Sequence, residues 1–257
     1  MKIKKVIQGY FSPTGTAEQV VRCLCERMGA LTEDCDLLPK VFEGASFDRE
    51  ELLVLGVPVF GGRVPSVAAE RIARLSGDHT PAVAVAAYGN RAYEDTLAEL
   101  QDLLQSRGFV VVAAVAAVTE HSIVREIASG QPDDQSCEVL RGFGEKIAAM
   151  LGGKESPISV ENIPGDRPYK DYKVLPVTPE TSADCVACGD CASVCPVGAI
   201  DAGDPSSTDA EICISCMACI ARCPQGARGV PKEAHAMLLK KLQAACGDTV
   251  KANALFI

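Results

Sequence analysis

The 257-residue chain is expected to form an α/β fold: a five-stranded parallel sheet with helices on both faces, followed by a small α+β unit. Three observations predict it. Strand-like and helix-like stretches alternate through roughly the first 150 residues, several of the strand stretches are apolar without interruption, and a cysteine-rich segment near the end repeats in tandem. Alternation of this length implies a parallel sheet with right-handed crossovers. Unbroken apolar runs belong to strands covered on both faces.

The elements follow in order. Residues 4–10 form the first strand, and 14–28 a helix with Ala17, Val20, Val21, Leu24 and Met28 on one face. Residues 31–37 make a weak second strand. The runs ELLVLGV (51–57), AVAVAA (82–87) and VVVAAVAAV (110–118) supply three more strands, with helices at 66–75, 93–105 and 136–150. From 152 to 183 five prolines interrupt a polar stretch, which excludes a regular helix or central strand and reads as an extended surface linker. The expected division is therefore 1–152, a linker at 153–183, and 184–257 with a C-terminal helix.

Composition narrows the function. A net charge of -9 excludes nucleic acid and anionic membrane as partners, since both demand clustered Lys and Arg. The longest apolar run, 109–118, is about half the ~20 residues of a membrane-spanning helix, so no span is expected. Lys2, Lys4 and Lys5 precede an apolar stretch too short for a signal peptide. A cytoplasmic location follows as the expectation.

Eight of the thirteen cysteines fall between Cys185 and Cys223. The segments CVACGDCASVCPVGAI and CISCMACIARCPQGAR begin at Cys185 and Cys213, an offset of 28 that also superposes Pro196 on Pro224 and Gly198 on Gly226. Each half reads C-x2-C-x2-C-x3-C-P. Zinc also uses C-x2-C pairs, but it gives no reason for two such triplets each closed by Cys-Pro. The spacing matches the bacterial two-cluster ferredoxin run, in which three cysteines of one half and the fourth of the other hold one 4Fe–4S cube. On that pattern Cys185, Cys188, Cys191 and Cys223 hold one cluster, and Cys195, Cys213, Cys216 and Cys219 the other. Free thiolates of this kind imply a reducing compartment. The remaining Cys23, Cys25, Cys35, Cys137 and Cys246 read as buried small hydrophobes.

Ligands of such sheets sit beyond the carboxyl ends of the strands, where three loops lie at 11–16, 58–65 and 88–93. The first, a hydroxyl-rich turn opening a helix, suits an anion. No Gly-Lys-Ser/Thr follows it and no G-x-G-x-x-G is present, which disfavours ATP and tightly bound NAD. Ser12-Pro13-Thr14-Gly15-Thr16-Ala17 resembles the flavodoxin phosphate loop, S/T-x-T-G-x-T. The resemblance implies FMN, with Ser12, Thr14, Gly15, Thr16 and Ala17 around its phosphate. Ala17 departs from the family's threonine, a lost hydrogen bond worth roughly 0.5–1.5 kcal/mol. Pro58, Val59, Phe60, Gly61, Gly62 and Arg63, with Tyr88, Gly89, Asn90 and Arg91, fall where that family holds the isoalloxazine ring. There the glycines would admit the ring closely, Phe60 or Tyr88 would stack on it, and Arg63 would sit near its N1/O2 edge; ordinary loop packing is the competing reading. His121, at the same sheet edge, is either a flavin contact or a loop-packing histidine.

The whole chain resembles flavodoxin–ferredoxin fusion proteins of anaerobic microbes, including the connection Pro164-Gly165-Asp166-Arg167-Pro168-Tyr169. The resemblance implies an electron carrier in which two 4Fe–4S clusters exchange single electrons with FMN, docking a redox protein through a basic patch on that partner. Two alternatives stand beside it: an FMN-dependent reductase or quinone oxidoreductase with a small-molecule acceptor, and a regulatory module with a degenerate flavin site.

Overall fold

The computed structural model describes residues 2–173, 176–247 and 249–257. Positions 1, 174, 175 and 248, which fall in the expected first unit, linker and last unit, lie outside the described residues.

Strand β1 (Lys5–Tyr10) leads through the Ser12–Gly15 turn into α1 (Thr16–Cys25), followed by β2 (Leu31–Asp36), β3 (Ala45–Phe47), β4 (Glu51–Pro58), α2 (Ser66–Ile72), β5 (Leu75–Gly77), β6 (Thr80–Tyr88), α3 (Thr96–Gln105), β7 (Phe109–Val118) and α4 (Asp134–Gly152). Five parallel strands take the order β2-β1-β4-β6-β7. In sequence order of those five this is 2-1-3-4-5, the flavodoxin-like order, which puts the ligand-binding crevice at the carboxyl ends of β1 and β4.

The apolar runs behave as expected. Every residue of β6 is buried, as are all but the ends of β4. One face packs Leu53, Leu55 and Val57 under Leu97, Leu100 and Leu104 of α3; the other packs Val54, Val83 and Val85 under Val20, Leu24, Leu140 and Ile147 of α1 and α4.

Three features depart from expectation. Helix α2 stops at Ile72 because Leu75–Gly77 pairs in parallel with β3 as a separate two-stranded sheet. Helix α3 starts at Thr96 because Glu94 takes a left-handed turn (φ 41°). A sixth strand, β10 (Ala254–Phe256), joins the main sheet antiparallel to β7. Its three residues are too few to carry a periodicity.

Cys23 of α1 and Cys137 of α4 form a disulfide rather than standing as separate apolar fillers. They are far apart in sequence and meet only because the two helices share one face of the sheet.

The linker runs as a strap along α3. Asp95 accepts the backbone N–H groups of Asp166 and Lys170 at 2.9 and 2.8 Å, and Arg167 grips Asp102 at 2.7 and 2.8 Å. Beyond it come β8 (Glu180–Thr181), α5 (Asp190–Ser193), α6 (Ala218–Arg222), β9 (Arg228–Gly229) and α7 (Lys232–Cys246). Ile123, Val124 and Ile127, in the loop after β7, bury against Met217, Leu238 and Leu242. Arg71 of α2 reaches across to the carbonyl of Pro196 at 2.9 Å. The cysteine segment is thus docked over the carboxyl edge of the sheet.

Candidate functional site

Gly15 opens α1 in the left-handed region (φ 86°), where a Cβ would meet nothing within 4 Å. The turn tip therefore faces open space. Ser12 is buried and its Oγ accepts the N–H of Glu18 at 3.0 Å. Ala17 is buried in the first turn of α1. Thr14 and Thr16 border a cavity of about 530 Å³. They also border a smaller hollow of about 330 Å³, closed by Met217, Ile220 and Ala221.

The larger cavity gathers most of the loop residues singled out in the sequence. Pro58, Val59, Phe60, Gly61 and Gly62 supply one wall, Tyr88, Gly89 and Arg91 another, and His121 lies between Thr119 and Ile123 on a third. Tyr88 packs edge-on to Tyr93 with centroids 5.2 Å apart, and burial pushes its hydroxyl up to about 12. Three glycines of the cavity wall leave no room for a side chain. A Cβ on Gly62 would fall 1.7 Å from Glu94 Oε2, one on Gly61 2.8 Å from the Lys173 carbonyl, and one on Gly89 2.6 Å from the His121 ring.

Two of the expected ring contacts are committed elsewhere. Arg63 pairs both ways with Glu99, at 2.7 and 2.8 Å, stacks over Tyr169 at 4.7 Å and donates to the Lys170 carbonyl. Its positive charge is spent on a buried carboxylate instead of the cavity. Asn90 is buried and turns the other way, donating to the Thr249 carbonyl at 2.9 Å and accepting the Lys251 N–H at 2.8 Å. It anchors the C-terminal segment that carries β10.

His121 has a defined role in the wall. Its Nδ1 accepts backbone N–H groups of Ile123 and Val124 at 3.2 and 3.1 Å, which leaves the proton on Nε2. Burial, helped by the nearby Arg91 charge, lowers its pKa to about 4. At neutral pH it is an uncharged N–H donor with a set tautomer.

The rest of the wall was not legible in the sequence. Lys170 and Lys173 arrive from the strap, Ile214 and Ser215 from between Cys213 and Cys216, and Leu238, Lys241, Leu242 and Ala245 from α7. The four-residue spacing of Leu238, Leu242 and Cys246 signals a buried helix face, but spacing does not say what that face covers.

The cysteine halves repeat in backbone as well as in sequence. Left-handed residues recur at the 28-residue offset: Ala187 with Ser215, Gly189 with Met217, Gly198 with Gly226. The N–H groups of Ser193 and Ala221 bond to Gly189 and Met217 at 3.1 and 3.0 Å, and those of Gly198 and Gly226 to Cys195 and Cys223 at 3.2 Å each. Such turns aim backbone N–H groups inward at a developing negative charge. The fourth cysteines receive them directly: Ala199 N–H donates to Cys195 Sγ at 3.2 Å. For Cys223, burial alone would raise the pKa, but N–H groups of Gln225, Gly226, Ala227 and Arg228 outweigh it and hold the thiol below its ordinary value.

The thiols lie near one another in groups. Cys185, Cys188, Cys191 and Cys223 line one small hollow. Cys195, Cys213, Cys216 and Cys219 lie close enough to act on one another, with Cys191 of the first set also near Cys219; burial above all pushes Cys216 up to about 12 and Cys219 to about 11. A cube takes one thiolate on each of four irons, and four cysteines around one hollow are a donor set of that chemistry.

Residues 184–227 match the family model described as a 4Fe-4S dicluster domain. No match is found among curated proteins. The flavodoxin of Streptococcus pneumoniae TIGR4 is 15% identical, over 58% of this chain and 99% of its own, with a TM-score of 0.40. The rubredoxin oxygen:oxidoreductase of Desulfovibrio gigas is 16% identical over 59% of this chain and 37% of its own, TM-score 0.42. An azoreductase of Bacillus anthracis is 12% identical over 59% and 100%, TM-score 0.35. The strand order, not these similarities, establishes the flavodoxin-like fold. A 4Fe–4S segment joined to that fold gives the chain a redox role, and no described helix is long and apolar enough to cross a membrane.

Proposed function

We propose that the chain transfers electrons internally between two 4Fe–4S clusters, on the two cysteine sets above, and an FMN seated in the 530 Å³ cavity. When bound, the clusters each carry one electron and the flavin two, so the pair converts one-electron into two-electron chemistry. The observation that carries the reading is the place of Ile214 and Ser215. They lie between ligands Cys213 and Cys216 in sequence and in the wall of the cavity into which Thr14 and Thr16 open.

The chain's own residues divide the work. The Thr14 and Thr16 hydroxyls and the α1 start would hold the phosphate with neutral donors. His121 would offer a hydrogen bond through Nε2, and α7 with the strap would exclude water. Cys188 is exposed and Val186 beside it is 63% exposed, with Asp184 and Asp190 flanking them. This acidic, partly apolar rim suits a redox protein bearing a basic patch.

Anaerobic purification with iron, sulfide and flavin analysis tests the reading. About eight iron per chain and one FMN are expected. Thr14→Val should release flavin and keep the iron, whereas Cys188→Ser should lose about half the iron and keep the flavin. Zinc in place of iron, or no flavin after addition of FMN, overturns it. One feature favours a second reading, a reductase: Lys173 and Lys241 reach the cavity wall beside Lys170, which pairs with Glu94, and these cations suit a small anionic acceptor. Saturable, acceptor-selective oxidation of the reduced protein would establish it.

A further inference from the structure

The two cysteine halves are near copies, and at one buried position, five residues after each fourth cysteine, they differ sharply in chemical character. Ile200 occupies that place in the first half and Arg228 in the second, at the 28-residue offset. Both are buried, at 5% and 4% exposure. Ile200 packs between Cys191 and Cys219, as an apolar residue at the centre of a small core should. Arg228 puts a guanidinium at the equivalent place.

That cation is only partly accounted for by the protein. One terminal nitrogen donates to Thr208 Oγ1 at 2.7 Å, and the other to the carbonyls of Pro205 and, at 3.2 Å, Ser207. All three partners are neutral. Its Nε is buried without a hydrogen-bond partner, and among the described residues no carboxylate pairs with it. A buried charge left without a counter-ion costs several kcal/mol, so an anion is missing from the account. Arg228 borders the hollow lined by Cys185, Cys188, Cys191 and Cys223. Its charge also reaches Cys213 and Cys219 of the other set, so the difference it makes between the two sets is one of degree.

We propose that Arg228 is the built-in counter-ion of the cluster on the Cys185 set, and that by replacing the isoleucine of the other half it makes the two clusters unequal, raising the reduction potential of the one whose hollow it borders. The inference rests on the two-cluster reading above. Reduction adds one negative charge to an already anionic cluster, and a fixed buried cation stabilises that added charge more than the oxidised form. Arg228 thus gives electrons a preferred resting place on the exposed Cys188 side. The Cys213 set, beside the cavity, keeps the lower potential and the stronger drive toward the flavin.

The test is an anaerobic, EPR-monitored redox titration of the holoprotein, with iron counted on the same samples. The signal of the Cys185-set cluster is assigned by its loss in Cys188→Ser. In Arg228→Ile, which installs the residue of the other half, the reduced-to-oxidised ratio of that cluster at a given potential should fall at least tenfold, equivalent to about 59 mV for one electron. The other cluster should shift less. Arg228→Lys, which keeps the charge, should recover most of the shift; Arg228→Gln, which keeps polarity without the charge, serves if the isoleucine variant loses iron. Full iron content with both ratios within twofold of the parent protein, in Arg228→Ile or Arg228→Gln, overturns the proposal. Absence of iron from the parent protein would instead sink the two-cluster reading, and this inference with it.

Discussion

The guanidinium of Arg63 grips both carboxylate oxygens of Glu99, at 2.7 and 2.8 Å, where a flavin-edge contact was expected. Glu99 also accepts the N–H of Val64 at 2.8 Å, and both side chains are mostly buried, at 16% and 11% exposure. Glu99→Ala would strand a cation and a backbone donor together, so unfolding free energy should drop by about 3 kcal/mol. Flavin affinity should change far less, because Arg63 does not wall the cavity. Denaturant titration and FMN titration on the same protein separate the two effects.

Gly15 and Gly89 are glycine for different reasons, and alanine at each should reveal it. At Gly15 the left-handed φ of 86° alone opposes a Cβ, a cost of about 1–2 kcal/mol. At Gly89 the Cβ would strike the His121 ring at 2.6 Å, a cost of about 1–3 kcal/mol. His121→Ala should therefore rescue Gly89→Ala and leave Gly15→Ala as it was. A double-mutant cycle measured by chemical denaturation reads the coupling directly.

His121 also sets a pH dependence. Its folded pKa of about 4 lies below the ordinary 6.5. Between these values the unfolded chain takes a proton that the folded chain refuses, so its contribution is fully present above pH 6.5 and is lost as pH falls toward 4. The whole span is worth roughly 3 kcal/mol. Comparing stability at pH 7 and pH 5 in the parent and in His121→Asn should show a smaller decline in the variant.

Asn90 should act on the far end of the chain. Asn90→Ala removes the bonds to Thr249 and Lys251, worth about 1–3 kcal/mol together. It also loses the residue that accepts a φ of 61° there. Amide exchange at Leu255 and Phe256, which pair with Val115 and Ala114, should accelerate while exchange inside β6 holds.

The Cys23–Cys137 bridge predicts a labelling pattern. Alkylation of the unfolded chain without reductant should leave those two thiols unmodified and label Cys25, Cys35 and Cys246, which are free. Cys137→Ser should lower stability by about 2–4 kcal/mol.

The parts legible in the sequence are those whose cause is local. Three apolar runs required strands covered on both faces, a hydroxyl-rich turn with Gly15 required a helix start, and the Cys-x2-Cys spacing required tight loops, which the structure builds with left-handed residues. Each is determined within a dozen residues. Tertiary structure decided what depends on groups that meet from far along the chain: Arg63 finding Glu99, Cys23 finding Cys137, and Asn90 holding Thr249. It also brought Ile214, Ser215 and α7 onto the cavity, through the burial of Ile123 and Val124 against Leu238 and Leu242. Periodicity marks a face as apolar and so bound to be buried, but the hydrophobic effect is non-directional. Only the folded chain selects which surface covers it.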